Sequence, residues 1–396
     1  MGKSRQAEHQ ALIEWLLIQV EEHAVDAVLI AGDIFDTGSP PSYARELYSH
    51  LVVKLHSSGV SLLLLGGNHD SVATLGESRS MLAVLSTTVV AAVSAPADHL
   101  VVLPTRGGNG EAGCIVCAVP FIRPRDVLQS QAGQSAEDKQ QSMQAAIQAY
   151  YQGVYAAGQA RQAELQRALG RFIPLIATGH LTTVGASSNE SVREIYVGSL
   201  DAFPTAAFPP VDYIALGHIH KPQKLSETVR YSGSPIPLSF SERHDPKFVL
   251  ILTVEAGKLS AVETLPTPVL RELRTFSGCL DEVWELLENY QPATELAALV
   301  ELNVVEPYFD PQKSQHFDLM LREFEKKDFK IIKPRLTFEN RQKEASELFT
   351  VGTEIEDLTP QDVFERRLES ETLDDDTRAL LLEAFTELLE EVQQTH

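Results

Sequence analysis

Four apolar runs in this chain end in the same way: an apolar stretch, a glycine, then a polar side chain with lone pairs to offer. They are VLIAGD, ending at Asp33; SLLLLGGNHD, carrying Asn68, His69 and Asp70; PLIATGH, ending at His180; and YIALGHIH, carrying His218 and His220. Short apolar runs closed by glycine read as strands buried on both faces, and such strands need helices to cover them. Ligands of α/β sheets gather beyond the carboxyl ends of the strands, so four tips of this kind can meet in one place. The glycines allow the sharp turn and close backbone approach that the meeting requires. The pattern therefore points both to an α/β fold and to a shared site.

The segments between these runs carry a helical period. RQAEHQALIEWLLIQVEEHA places apolar residues every three or four positions, and SPPSYARELYSHLVVKLHSSG opens on prolines suited to a helix start and closes on Gly59. QSAEDKQQSMQAAIQAYYQGVYAAGQARQAELQRAL predicts one or two Gln- and Ala-rich helices on an outer face. From about residue 266 the order becomes strand, helix, strand, helix, strand: VLRELRTFSG, LDEVWELLENY, ALVELNVVEPY, SQHFDLMLREFEKK and FKIIKPRLTFEN. The expected division is an α/β domain over 1–265, a small α+β domain over 266–341 and an acidic helical segment over 342–396. In that last segment Thr359, Pro360 and Asp362 suit a helix N-terminus. A second helix aligns Leu381, Phe385, Leu388 and Val392 on one stripe that needs a surface to bury against.

A chain of 396 residues that is 43% hydrophobic can bury a sizeable core. No apolar run approaches a membrane span, and the first residues lack the apolar centre of a secretory signal, so a cytoplasmic location is expected. Three cysteines argue against a disulfide framework. Cys114 and Cys117 fall in a strand-like stretch, where side chains three apart face opposite ways, so structural burial outweighs zinc or redox chemistry. The formal charge is −22, and half of the excess lies in residues 341–396, with 16 acidic residues against 5 basic. Net charge alone leaves an anionic polymer open as a substrate, because bound metal or local cations can face its phosphates. The basic candidates are Arg123 and Arg125, with Lys326, Lys327, Lys330 and Lys333 further on.

One histidine after one strand would be weak evidence in a chain with twelve. Three imidazoles, a carboxylate and an amide oxygen, all at strand tips, make a mixed set of nitrogen and oxygen donors. That set suits manganese, iron or zinc better than calcium or a thiolate-type site.

GDIFDTGSP, GNHDS, GHLTT and GHIHKP, in that order, resemble the calcineurin-like metallophosphoesterases. SPPSYAR, EIYVGSLDAFP, DYIALGHIH and YSGSPIPLSFSE resemble, within them, the SbcD family of bacterial nuclease subunits, and the likeness runs along essentially the whole chain. The resemblance implies a four-layer αββα sandwich with a small α+β capping domain and a C-terminal helical segment. It also implies a site for two divalent ions, manganese foremost, roughly 3.5–4 Å apart. Asp33 would bridge them, Asn68, His180 and His218 would complete one shell, and His220 would serve the other. His69 would act on the leaving oxygen. Asp70 would orient its ring, or else stabilise the turn, a reading of nearly equal weight. Asp36 is expected to be a loop hydrogen-bonder. The family further implies ATP-dependent double-strand exonuclease and single-strand or hairpin endonuclease activity in DNA replication and recombination. The partner would be an SbcC-type ATPase with a long coiled coil, in a heterotetramer containing a homodimer. A phosphatase on the same fold and a catalytically impaired scaffold are the competing readings.

The family pattern begins with a strand ending in Asp-x-His, which supplies two ligands to one ion. The sequence given contains no Asp-x-His, and MGKSRQAEHQ matches family sequence just after it. A start assigned at an internal methionine is the favoured explanation, and a degenerate protein retained for binding the other. With Asp33 and His220 alone at the second position, these residues are expected to bind at most one ion tightly and to cleave DNA weakly. The absent strand is expected to expose a neighbour's edge or leave a groove.

Overall fold

Strands β1 (Ala27–Ile30), β2 (Ser61–Leu65) and β3 (Thr87–Val90) form a parallel sheet in that order, and β2 is buried along its whole length. Because side chains alternate along a strand, its two faces serve two cores. Leu62 and Leu64 pack with Val20 of helix α1 (Gln6–Glu22) and with Leu51, Val52 and Leu55 of α2 (Ser42–Ser57). Leu63 and Leu65 instead join Val101, Val116, Ile176 and Tyr213 of a second sheet. The computed structural model describes residues 4–107, 110–127, 136–186, 202–340, 361, 364–365, 368 and 375–394.

Short helices α3 (Val72–Gly76) and α4 (Arg79–Val84) lead into β3, and α5 (Pro124–Val127) precedes the long α6 (Ala136–Leu169). The second sheet is made of β4 (Leu100–Pro104), β5 (Ala112–Cys117), β6 (Leu175–His180), β7 (Tyr213–Gly217), β8 (Gln223–Lys224) and β9 (Val229–Tyr231). Its order is β4-β5-β6-β7-β9-β8, parallel from β5 to β9 with antiparallel strands at both edges. The face turned away from the first sheet is covered by α6, where Met143, Ile147, Tyr151 and Val154 pack with Ile115, Cys117, Leu175 and Ala177. The layers are thus helix, sheet, sheet, helix, the arrangement that the resemblance implied. The Gln- and Ala-rich stretch forms one continuous helix rather than two. Burial pushes the thiols of Cys114 and Cys117 up to about 12, which removes the thiolate that metal or redox chemistry would use.

Strands β10 (Phe248–Glu255) and β11 (Lys258–Pro266) form a separate antiparallel pair. Leu252, Leu259 and Val262 of this hairpin pack on the inter-sheet cluster that also takes in Ala27 and Leu29. Among the described residues β1 pairs only with β2, and all four of its residues are half-buried, so it is an edge strand.

The chain divides into two compact units, Met1–Arg274 with Pro292–Leu299, and Thr275–Gln291 with Val300–His396. A three-stranded sheet, β12 (Arg271–Gly278), β13 (Leu296–Glu306) and β14 (Phe329–Phe338), alternates in sequence with α7 (Leu280–Glu288) and α8 (Pro311–Glu323). This is the strand and helix order that the hydrophobic pattern predicted. Helix α9 (Asp375–Gln394) stacks Phe385 on Phe364 at 3.9 Å between centroids, while Leu381 and Leu388 are exposed. Thr359, Pro360, Asp362 and most of EIYVGSLDAFP lie outside the described residues. No described helix is long and apolar enough to cross a membrane.

His99, just before β4, is fully buried. Its Nδ1–H donates to the Ala118 carbonyl at 2.8 Å and its Nε2 accepts from the Ser94 amide at 2.9 Å. That pairing admits only the neutral ring, and burial holds its pKa below the ordinary 6.5. A histidine depressed in the folded state contributes stability above pH 6.5 and loses it as pH falls towards the folded value. Thermal unfolding followed from pH 7.5 to 5 is expected to show a falling Tm, and the fall should be shallower in His99→Gln.

Candidate metal centre

The first tip is Gly32-Asp33, just after β1, with both residues at positive φ, 100° and 52°. Glycine is required here, since a β-carbon on Gly32 would overlap the His180 ring. A β-carbon on Gly67 would likewise overlap the Asp33 carboxylate. Missing side chains on two loops therefore let Asp33, Asn68 and His180 stand in contact.

His180, at the end of β6, donates its Nδ1–H to the Ala31 carbonyl at 2.8 Å. This fixes the ring with Nε2 turned to Asn68 Oδ1 at 2.9 Å and Asp33 Oδ2 at 3.2 Å. Across Asn68, His218 sets its Nδ1 3.3 Å from the same amide oxygen. Ligand atoms of Asp33, His180 and His218 all fall within 4.8 Å of one another. His218 sits at φ 92°, an unusual backbone state for a side chain of its size, and its Nε2 is buried without a hydrogen-bond partner. Lone pairs crowded this closely repel unless a proton or cation stands among them. An orphaned imidazole nitrogen, a carboxylate and an amide oxygen are donors that fit a divalent transition metal.

The electrostatics agree with that fit. Burial opposes ionisation of Asp33, but His180 outweighs it through hydrogen bond and charge and brings the carboxyl down to about 2. Burial would lower His180, yet the Asp33 carboxylate beside it raises its pKa overall. His218 is taken down to about 3 by burial first and by its neighbour His180 second, so it is a neutral ring with a lone pair to give. The site offers one anion and one neutral imidazole, plus a second imidazole whose proton metal binding would displace.

His69 lies beside this cluster, its backbone N–H donating to Asp33 Oδ1 at 3.1 Å. Its ring is held by Asp36, through Nδ1–H to the Asp36 carbonyl at 2.9 Å, with the Asp36 carboxylate 3.4 Å from the same nitrogen. Asp70, read from the sequence as able to orient that ring, makes other bonds. Its carboxylate accepts the backbone N–H groups of Ile34 at 3.1 Å, Phe35 at 2.9 Å and Gly67 at 2.9 Å. Asp70 thus ties the loop carrying Asp33 to the loop carrying Asn68, in keeping with the turn-stabilising alternative.

His220 is not in the three-residue group around Asp33. Its Nδ1–H donates to Glu242 Oε1 at 3.0 Å, and the other Glu242 oxygen takes the Lys247 ammonium at 2.7 Å. Burial would raise Glu242, but the His220 and Lys247 hydrogen bonds hold its carboxyl well below the ordinary range. Neither Glu242 nor Lys247 was legible as a site residue. Glu242 closes YSGSPIPLSFSE and Lys247 follows five residues later, so the only signal was an acid and a lysine just past a loop rich in glycine, proline and serine.

Of the basic candidates, Arg123 lies at the site. Its guanidinium donates to the Asp70 carbonyl at 3.3 Å and stands 5.5 Å from the Phe121 ring, which meets His180 edge-on at 6.2 Å. Arg125 is exposed, 3.9 Å from Asp126. Lys333 pairs with Glu301 at 2.7 Å, Lys327 lies 5.9 Å from the Phe324 ring, and Lys330 is exposed. The Lys326 side chain lies outside the described residues.

Comparison with known proteins returns two family models: calcineurin-like phosphoesterase over residues 5–222, and type 5 capsule protein repressor C-terminal domain over residues 269–372. The chain is 43% identical over 400 residues to the SbcD subunit of nuclease SbcCD from Escherichia coli strain K12, covering 100% of this chain and 96% of that protein. It is 35% identical over 279 residues to the SbcD subunit of nuclease SbcCD from Rhodobacter capsulatus, covering 68% and 66%. The Bacillus subtilis protein of the same name is 26% identical over 265 residues, covering 65% and 63%.

The distinct bonds of Asp70 and His69 separate two kinds of loss. Asp70→Asn turns an amide N–H against one of three backbone donors and is expected to cost about 1–3 kcal/mol in urea unfolding. His69→Ala removes a single hydrogen bond to a carbonyl on the exposed Asp36 loop and is expected to cost less, about 1 kcal/mol or below. Equal stabilities for the two variants would contradict the division.

Proposed function

Because the chain belongs to the calcineurin-like phosphoesterases, and within them to the SbcD family of nuclease subunits, we propose that Asp33, Asn68, His180 and His218 hold the catalytic ion of this enzyme. The protein is a metal-dependent nuclease subunit, a hydrolase of phosphodiesters. The observation that carries the site assignment is the convergence of Asp33 Oδ2 and Asn68 Oδ1 on His180 Nε2 at 3.2 and 2.9 Å, beside the orphaned Nε2 of His218.

A divalent ion held there, manganese in first place, would supply Lewis-acid polarisation of the phosphate and a more acidic water. The chain's own groups supply the rest. Asp33 and His220 are the residues here that serve a second ion. Asp36 fixes the His69 ring by accepting its Nδ1–H, so that in the doubly protonated form of the ring the Nε2 proton can pass to the departing oxygen. Arg123 can bind a neighbouring phosphate of the strand, which offsets locally a chain charge of −22.

The substrate is DNA, cut as an exonuclease on duplex ends and as an endonuclease on single strands and hairpins, with ATP hydrolysed by an SbcC-type coiled-coil ATPase. The exposed Leu381 and Leu388 of α9, flanked by acids, suit a partner's surface, in a cytoplasmic heterotetramer that contains a homodimer and acts in DNA replication, recombination and repair.

Hydrolysis rates on a phosphomonoester, a simple diester and hairpin DNA with manganese test this reading. Hairpin DNA is expected to be cut fastest and His180→Ala to abolish cutting. Preference for the monoester would support a phosphatase instead, and metal-independent DNA binding without cleavage a scaffold. Arg123→Ala is expected to weaken binding evenly across DNA sequences and to reduce the salt slope by about 1.

A further inference from the structure

Glu242 is fully buried, yet it carries a charge and meets five donors. Its two oxygens have separate tasks. Oε2 accepts from Lys247 Nζ at 2.7 Å, the Leu238 amide at 3.1 Å and the Ser234 hydroxyl at 3.2 Å, and so gathers the loop from 234 to 247. Oε1 accepts from His220 Nδ1 at 3.0 Å, with the Ser239 hydroxyl further off at 3.5 Å. The same loop grips the other end of His220. The His220 carbonyl accepts from the Ser234 amide at 3.0 Å and from Lys247 Nζ at 3.1 Å, while Lys247 Nζ also reaches Ser234 Oγ at 2.8 Å. His220 is thereby held at its ring and at its backbone by one buried ion pair.

We propose that Glu242 is a positioning residue for His220, locking its neutral ring in the form that carries the proton on Nδ1 and leaves Nε2 as the free lone pair. The inference rests on the reading of His220 as a metal ligand. Carboxylates that accept the second N–H of a ligating histidine fix its orientation and raise its basicity, and their loss typically costs about 10- to 100-fold in metal affinity. A loop brace without this role would need only the Oε2 contacts. Lys247 takes part in the brace alone, because its ammonium touches the His220 carbonyl and not the ring.

The test uses the full chain and two readouts: the His220 tautomer from long-range nitrogen–proton correlation spectra at pH 8, and manganese affinity by calorimetry. Glu242→Gln can turn its amide N–H to Nδ1 and so favour the opposite tautomer. Its expected results are loss of the Nδ1–H form and an affinity lower by about 10- to 100-fold. Glu242→Gln/Lys247→Met removes the buried cation as well; it serves if the single variant does not fold, and its expected results are the same. His220→Ala should weaken binding at least as much, with no further loss when Glu242→Gln is added. A folded Glu242 variant that keeps the parent tautomer and affinity, while His220→Ala loses affinity, overturns the positioning role. If His220→Ala leaves manganese affinity unchanged, the ligand reading fails instead, and the tautomer result still decides what Glu242 does to the ring.

Discussion

Crowding of like atoms at the strand tips is the constraint on which this molecule turns. Asp33 is paired with the His180 ring by hydrogen bond and charge, while the Asn68 amide oxygen and the neutral His218 ring crowd the same point. Rigid strand ends keep them together, with loops from which β-carbons are missing at Gly32 and Gly67. Asp33 and His218 both take positive φ at these tips, and His218, at 92°, lies furthest from the ordinary regions among the non-glycine residues that do so. Two fully packed cores on either face of the first sheet make that arrangement sustainable.

Support for the site comes from polar groups that do not enter it. The Ala31 carbonyl orients His180, the Asp36 carbonyl orients His69, and Glu242 orients His220. Three imidazoles are thus each held through Nδ1, which leaves Nε2 turned away from the group that holds the ring. Asp70 does for backbone what these acceptors do for side chains, joining two loops through three amides. A net negative protein can present such a site to a polyanion because the local balance differs from the total, with Arg123 beside the cluster and half of the acidic excess far along the chain.

The convergent tips at Asp33, Asn68, His180 and His218 were legible because their signal is local: a buried run, a glycine and a polar side chain sit within about ten residues of one another. The helices α1, α2 and α6 were legible for the same reason, as was the alternation of β12 to β14 with α7 and α8. Orienting groups were harder to see. Asp36 is 33 residues from His69, and Glu242 is 22 from His220, separations set by the folded path of the chain and not by any period. Asp70 adjoins His69 in sequence, which made it a natural partner on paper; its carboxylate instead accepts amides from a loop 35 and 36 residues away. Adjacent residues share a backbone direction but not a hydrogen-bonding one.

The two-faced packing of β2 has a consequence for how the site is assembled. A slip of one residue in its pairing with β1 would move Leu63 and Leu65 to the helix side and advance Asn68 by about 3.3 Å. The amide oxygen would then miss both imidazoles. Strand register acts as the ruler that sets the spacing of these side chains, so a misthreaded sheet and a scattered cluster are the same error, and the integrity of the cluster is a direct gauge of correct folding.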